Sequence, residues 1–138
     1  MSMERLLGSW ELTMHHSQLS EPVLGRQRYE LVLGDAFVEL HWEYDHPDFP
    51  DAVAIFDEHR YHYFDVRGVV RVFDFELEDS GWTMTWIDPG FSQRSTATFR
   101  GDDAIDIYGE RSTDGGQTWQ HDFTMLLTRV GSTSQPVP

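Results

Sequence analysis

From Trp10 almost to the end of the chain, apolar and polar residues alternate in short runs, and turn residues cut those runs at regular intervals. Trp10, Leu12 and Met14 alternate with Glu11, Thr13 and His15, the period of two that marks a strand with one buried face. The same period returns in Arg26 to Leu33, with Tyr29, Leu31 and Leu33 sharing a face. It continues in Ala36 to Tyr44, where Val38, Leu40, Trp42 and Tyr44 oppose Glu39, His41 and Glu43. No stretch shows the 3.6-residue period of an amphipathic helix beyond a short apolar turn from Met3 to Leu7. A chain of this kind buries its apolar faces only by packing sheet on sheet or by closing a sheet on itself.

Further strands are expected at Ala52 to Phe56, Arg60 to Val66, Val69 to Leu77, Trp82 to Trp86, Phe91 to Phe99, Ile105 to Arg111 and Thr118 to Thr128. Gly34-Asp35, Arg67-Gly68, Ser80-Gly81 and Gly101-Asp102-Asp103 read as tight turns. Residues His16 to Leu24 read as the longest loop, and Asp45 to Asp51, with two prolines, cannot be regular strand. Roughly ten strands with turns about every 8 to 12 residues fit a sandwich or a barrel. Successive short hairpins without a long crossover favour an all-β, antiparallel up-and-down barrel, with a Greek-key sandwich as the alternative. In such a meander an even strand count brings Trp10 and Arg129 to one end. The loops at His16 to Leu24, Asp45 to Asp51, Arg67-Gly68, Asp88 to Gly90 and Ser112 to Gln117 then gather at the other, as a cavity mouth requires.

Composition closes off several functions. The chain has 138 residues and no cysteine, enough for one domain with its own core, expected over residues 1–130 with a loose tail at 131–138. Disulfides, thiolate metal ligands and thiol chemistry are excluded. The net charge is −14, from 24 acidic residues against 10 basic ones, so phosphate backbones and anionic membranes are poor partners. Every basic residue is arginine, which removes Schiff-base and lysine-nucleophile chemistry. Met1 to Leu7 lacks a long apolar run, and a cytoplasmic location is expected.

Ser112-Thr113-Asp114-Gly115-Gly116-Gln117-Thr118-Trp119 matches the Asp-box pattern Ser-x-Asp-x-Gly-x-Thr-Trp of sialidase-type propellers. A single copy cannot build a propeller, so the motif reads as a turn whose aspartate caps backbone amides. Seven histidines are present, but no closed set with zinc-ligand spacing, and no metal site is expected. No Gly-x-Ser-x-Gly elbow occurs. The inward positions nearest the expected mouth are Met14, Trp42, Tyr44, Arg71, Phe73, Trp86, Gln93, His121 and Phe123. Their aromatic members supply apolar walls, while Arg71, Gln93 and His121 would orient a ligand.

Gly8-Ser9-Trp10 near the start and Arg129 on the last strand resemble the calycin superfamily, which includes lipocalins, fatty-acid-binding proteins and nitrobindin-like barrels. With the Asp-Gly-Gly-x-Thr-Trp hairpin, the chain looks like a bacterial lipocalin-like family. That resemblance implies that Trp10 plugs the closed end and Arg129 packs across it, with Gly8 at that same barrel end, and that a small, largely apolar molecule occupies the barrel. An anionic head group on Arg71 follows by likeness to the fatty-acid-binding branch. No cofactor is expected, the runner-up being haem on His121 as in nitrobindin-like barrels, although Glu11-Leu12-Thr13 follows Gly-x-Trp here where those barrels carry a further glycine-rich stretch. Two other readings stay open: a cavity-based enzyme using Arg71 and His121, and a filled barrel acting as an interaction module or homodimer with Trp42 or Trp82 exposed.

Overall fold

Each alternating segment becomes a strand. The computed structural model describes residues 3–131. A single 3₁₀ turn (Met3–Leu6) leads into β1 (Gly8–His16), β2 (Val23–Val32), β3 (Phe37–Tyr44), β4 (Ala52–Phe56) and β5 (Arg60–Asp65). The chain continues through β6 (Val70–Glu78), β7 (Gly81–Trp86), β8 (Ser92–Arg100), β9 (Ala104–Ser112) and β10 (Gln120–Arg129). Every strand pairs antiparallel with its sequence neighbours, and β10 returns to β1, so the ten strands close into one barrel without an open edge. This is the expected up-and-down meander and not the sandwich. Apart from Gly131, the expected tail at 131–138 lies outside the described residues.

At one end the chain seals itself. Trp10 and Arg129 are direct partners across β1 and β10, and the guanidinium carbon lies 4.2 Å from the indole centroid. Arg129 donates from Nη1 to the Leu7 carbonyl at 2.5 Å, from Nη2 to that of Arg5 at 2.7 Å and from Nε to that of Asp102 at 3.0 Å. The indole Nε1 donates to the Leu6 carbonyl at 2.8 Å. Gly8 takes a φ of 110° against this plug, and a Cβ there would stand 3.2 Å from Arg129 Nη1. Above the plug the barrel is solid: Trp10, Leu12, Val38, Leu40, Phe56 and Leu127 are each at most 1 % exposed.

Several boundaries differ from the sequence reading. β1 runs to His16 and β2 begins at Val23, which is buried, so the first loop is only 17–22 and is shorter than the connection at 45–51. Leu33 does not share the inner face of Tyr29: its φ is 55°, it begins the turn ahead of Gly34 and Asp35, and it is 73 % exposed. The Asp-box is a turn, with Asp114 Oδ1 accepting from the amides of Gln117 and Thr118 at 3.1 and 2.9 Å and its other oxygen from Thr118 Oγ1. Hydrogen bonds from Ser112 and Thr118 hold its carboxyl well below the usual range.

The largest difference lies in β10. A β-bulge between His121 and Phe123 breaks its pairing with β9. Because side chains alternate strictly along a strand, one inserted residue reverses the facing of everything on its far side. Phe123, Met125 and Leu127 keep the inward facing, Asp122 is buried, and His121 is exposed and stacks on Tyr108 with ring centroids 4.9 Å apart. Across the ladder, Gly109 makes the bulge feasible, since a Cβ there would stand 2.2 Å from the Phe123 ring.

Candidate ligand-binding cavity

The upper half of the barrel is hollow. A cavity of about 350 Å³ opens among the loops opposite the Trp10–Arg129 plug, at the lower end of the size range of small-molecule sites. A wider concavity of about 610 Å³ crosses the outer face of β1 to β3. Its principal cation, Arg26, is already paired with Glu43 and Asp45 at 2.8 and 2.9 Å, so it offers a ligand no spare charge.

Of the nine positions read as lining, Met14, Trp42, Tyr44, Arg71, Phe73, Gln93 and Phe123 line the cavity. Trp86 stands just behind, carrying the Arg71 guanidinium 4.5 Å above its ring. His121 belongs to the outer wall. The histidine that does reach the cavity is His16, and both its nitrogens are engaged: Nδ1 accepts from the Gln18 amide at 3.1 Å, and Nε2 lies 3.3 Å from Asp122 Oδ1. Haem ligated by His121 therefore does not fit this arrangement, nor does an enzyme that pairs His121 with Arg71. Neither Trp42 nor Trp82 presents an exposed face: Trp82 is buried, and Trp42 is turned into the cavity.

Sequence reasoning missed Asp122, which the bulge turns inward and which Arg111 and His16 hold. It also missed the tyrosines. Tyr29, Tyr61 and Tyr63 join Tyr44 in the lining, and burial pushes all four phenols above their ordinary range, so each remains a neutral donor. The alternation of Tyr61 and Tyr63 along β5 is a signal for inward facing. Phe49, in the 45–51 loop, lies across the mouth with its ring 5.5 Å from those of His16 and Tyr44 and 5.2 Å from His46.

Two polar features stand out on these walls. Arg71 donates from Nη1 to Gln93 Oε1 at 2.7 Å and lies over Trp86 and Phe91. Among the described residues, the buried Trp42 Nε1 has no hydrogen-bond partner at full bonding geometry, although the Tyr44 hydroxyl lies close enough to feel the indole N–H. An orphaned buried donor costs about 1–3 kcal/mol.

Asp65, at the rim, has a side chain with 0 % exposure. Burial alone would raise its carboxyl, but hydrogen bonds from Arg67 and Tyr63 outweigh burial and hold the pKa at about 2, against 3.8 for a free aspartate. Because the folded pKa is the lower one, this contribution to stability is complete above pH ~4 and is lost as pH falls through about 2. Thermal unfolding followed from pH 6 to pH 2 should therefore fall less steeply in Asp65→Asn than in the parent over that acid window. Parallel curves would show that the Arg67–Tyr63 clamp does not discriminate between the protonation states.

No protein-family model matches the chain, and no curated protein matches it in sequence. Among solved structures it is similar to the S-type phycobiliprotein lyase CPES from Guillardia theta, with a TM-score of 0.59 and 14 % identity over 91 % of this chain and 89 % of that one. Weaker likenesses are to a de novo designed fluorescence-activating β-barrel (TM-score 0.44, 12 % identity, 91 % and 94 % covered) and to EF1p2_mFAP2b bound to DFHBI (0.48, 13 %, 91 % and 94 %). At these identities what is shared with the lyase is the barrel fold.

Proposed function

We propose that this protein is a calycin-type binding barrel that holds a small, largely apolar molecule in its upper half, with an anionic group of that molecule on Arg71. One observation carries the reading. Among the described residues, nine of the ten arginines form an ion pair with a carboxylate. The tenth is Arg71: Arg67 and Arg94 also line the cavity but are paired with Asp65 and Glu110, whereas Arg71 stands there against a neutral amide. In a chain with 24 acidic residues, a cation kept from carboxylates and fixed by stacking is a group reserved for an anion from outside. Gln93 uses one of the five guanidinium N–H groups, which leaves a fork able to take a carboxylate or sulfonate.

Native mass spectrometry of the purified protein, followed by denaturing extraction, tests this directly. A stoichiometric organic acid, or saturable uptake of palmitate or 8-anilinonaphthalene-1-sulfonate by stripped protein, is the expected result. A bare protein mass together with no uptake of either compound would sink it.

A further inference from the structure

Four tyrosines line the cavity, and two of their hydroxyls are spent within the protein. That of Tyr29 donates to Gln27 Oε1 at 2.7 Å and that of Tyr63 to Asp65 Oδ2 at 2.8 Å. Tyr44 closes the mouth end of β3, its hydroxyl beside the Trp42 indole. Tyr61 is the deep one. It is 5 % exposed, and its ring is fixed by Phe56, stacked at 5.0 Å, and by Phe73, edge-on at 5.9 Å. Its hydroxyl lies within electrostatic reach of the other three phenols, so it points into the space they enclose. Among the described residues no protein group accepts its proton. The side-chain polar atom there that is both sealed from solvent and without a partner is Trp42 Nε1 alone. The Tyr61 hydroxyl is therefore open to the cavity and not shut inside the wall.

Depth separates this group from the cation. Across β5 and β6, Arg71 is the direct partner of Tyr63, and Phe73 that of Tyr61. Tyr61 thus enters one inward step below the level of Arg71, about 7 Å along the strand toward the plug. A neutral phenol offers an acceptor a proton and no charge. A plain alkyl chain passing that point displaces water from the hydroxyl and gives nothing back, whereas an oxygen at that depth restores the hydrogen bond.

We infer that Tyr61 is a second binding station, selecting an amphipathic acid with a carbonyl or hydroxyl oxygen partway along its apolar body. The anionic group sits on Arg71 and this oxygen accepts from the Tyr61 hydroxyl, one step deeper. The assignment rests on the binding function proposed above and narrows its ligand.

Palmitate and its 6-oxo, 8-oxo and 10-oxo derivatives share one chain and one charge and differ in a single carbonyl, whose place along the chain is thereby scanned. Each is titrated calorimetrically into the parent and into Tyr61→Phe, which removes only the hydroxyl. At least one oxo acid should bind the variant about fivefold to tenfold more weakly, the loss expected for one hydrogen bond in a buried site. Palmitate should stay within about twofold. The unfolding temperature of the ligand-free variant should not fall, because the hydroxyl serves no protein partner. A separate reading is the infrared ketone stretch of that bound oxo acid, which lies clear of the protein's amide band. It should stand at lower frequency in the parent than in Tyr61→Phe.

Equal losses for palmitate and every oxo acid, or no loss for any of them, would overturn the assignment and leave the binding function standing. A ketone stretch at one frequency in both proteins would do the same, as would a marked drop in the unfolding temperature of Tyr61→Phe, which would give the hydroxyl to the fold. Failure of palmitate and of all three oxo acids to bind the parent would remove the binding function itself.

Discussion

Trp10→Ala is expected to cost about 3–5 kcal/mol of folding stability, the usual range for truncating a fully buried large aromatic, and to lower the unfolding temperature by roughly 10–20 °C. Trp10 is 1 % exposed, and its removal does three things together. It opens a void at the closed end, leaves the Leu6 carbonyl without its donor, and takes away the plate on which Arg129 rests. The loss spreads because Arg129 holds the carbonyls of Arg5, Leu7 and Asp102. It thereby ties the 3₁₀ turn and the β8–β9 turn to the last strand. Arg129→Ala should therefore be costly by itself, and the double variant should cost less than the sum of the singles, since both remove one stacked unit. Thermal unfolding followed by circular dichroism measures each. A shift of only a few degrees for Trp10→Ala would mean that the strand ladders close the barrel without this plug.

That plug was legible in the sequence because it depends on parity alone. An even number of antiparallel strands in a meander must return the last strand beside the first, and Trp10 and Arg129 then face each other whatever the details between. The same parity put the 45–51 loop at the mouth. What parity cannot reveal is a single inserted residue. His121 reads as inward by counting back from Phe123 and Met125, and the count fails because the bulge interposes Asp122. Nothing in His121-Asp122-Phe123 marks that insertion. Its enabling partner, Gly109, lies on the neighbouring strand, and its role is visible only when the Phe123 ring is seen lying over it. Leu33 shows the complementary limit. Its apolar side chain continues the pattern of Tyr29 and Leu31, but the backbone has already turned, with positive φ at Leu33, Gly34 and Asp35, and conformation overrides period. The isolation of Arg71 and the orphan at Trp42 belong to a third kind: each is defined by partners that are missing, which no reading of one strand at a time can find.

Arg71→Met should leave the fold intact and remove the selectivity for acids. Methionine replaces the long stem with an unbranched apolar one of similar reach. Among the described residues Arg71 forms no ion pair, so the unfolding temperature should move little. Affinity should behave differently. Truncating one partner of a desolvated charge pair costs about 2–5 kcal/mol, and because Arg71 is half-buried the lower end applies, roughly a 30-fold weakening of palmitate binding. Palmitate alone does not separate a lost charge from a damaged wall, so 1-hexadecanol, with the same chain and no charge, is the necessary companion. Its affinity should be unchanged or slightly raised in Arg71→Met. Arg71→Lys should fall between, since the ammonium keeps the charge but loses both the planar fork toward the ligand and the stacking on Trp86. Added salt should weaken palmitate binding by the parent only modestly, because a pair inside the barrel is screened less than one on the surface. An equal loss for acid and alcohol would mean that Arg71 acts through its packing on Trp86 and Phe91, holding the mouth in shape, and that the cavity reads no charge.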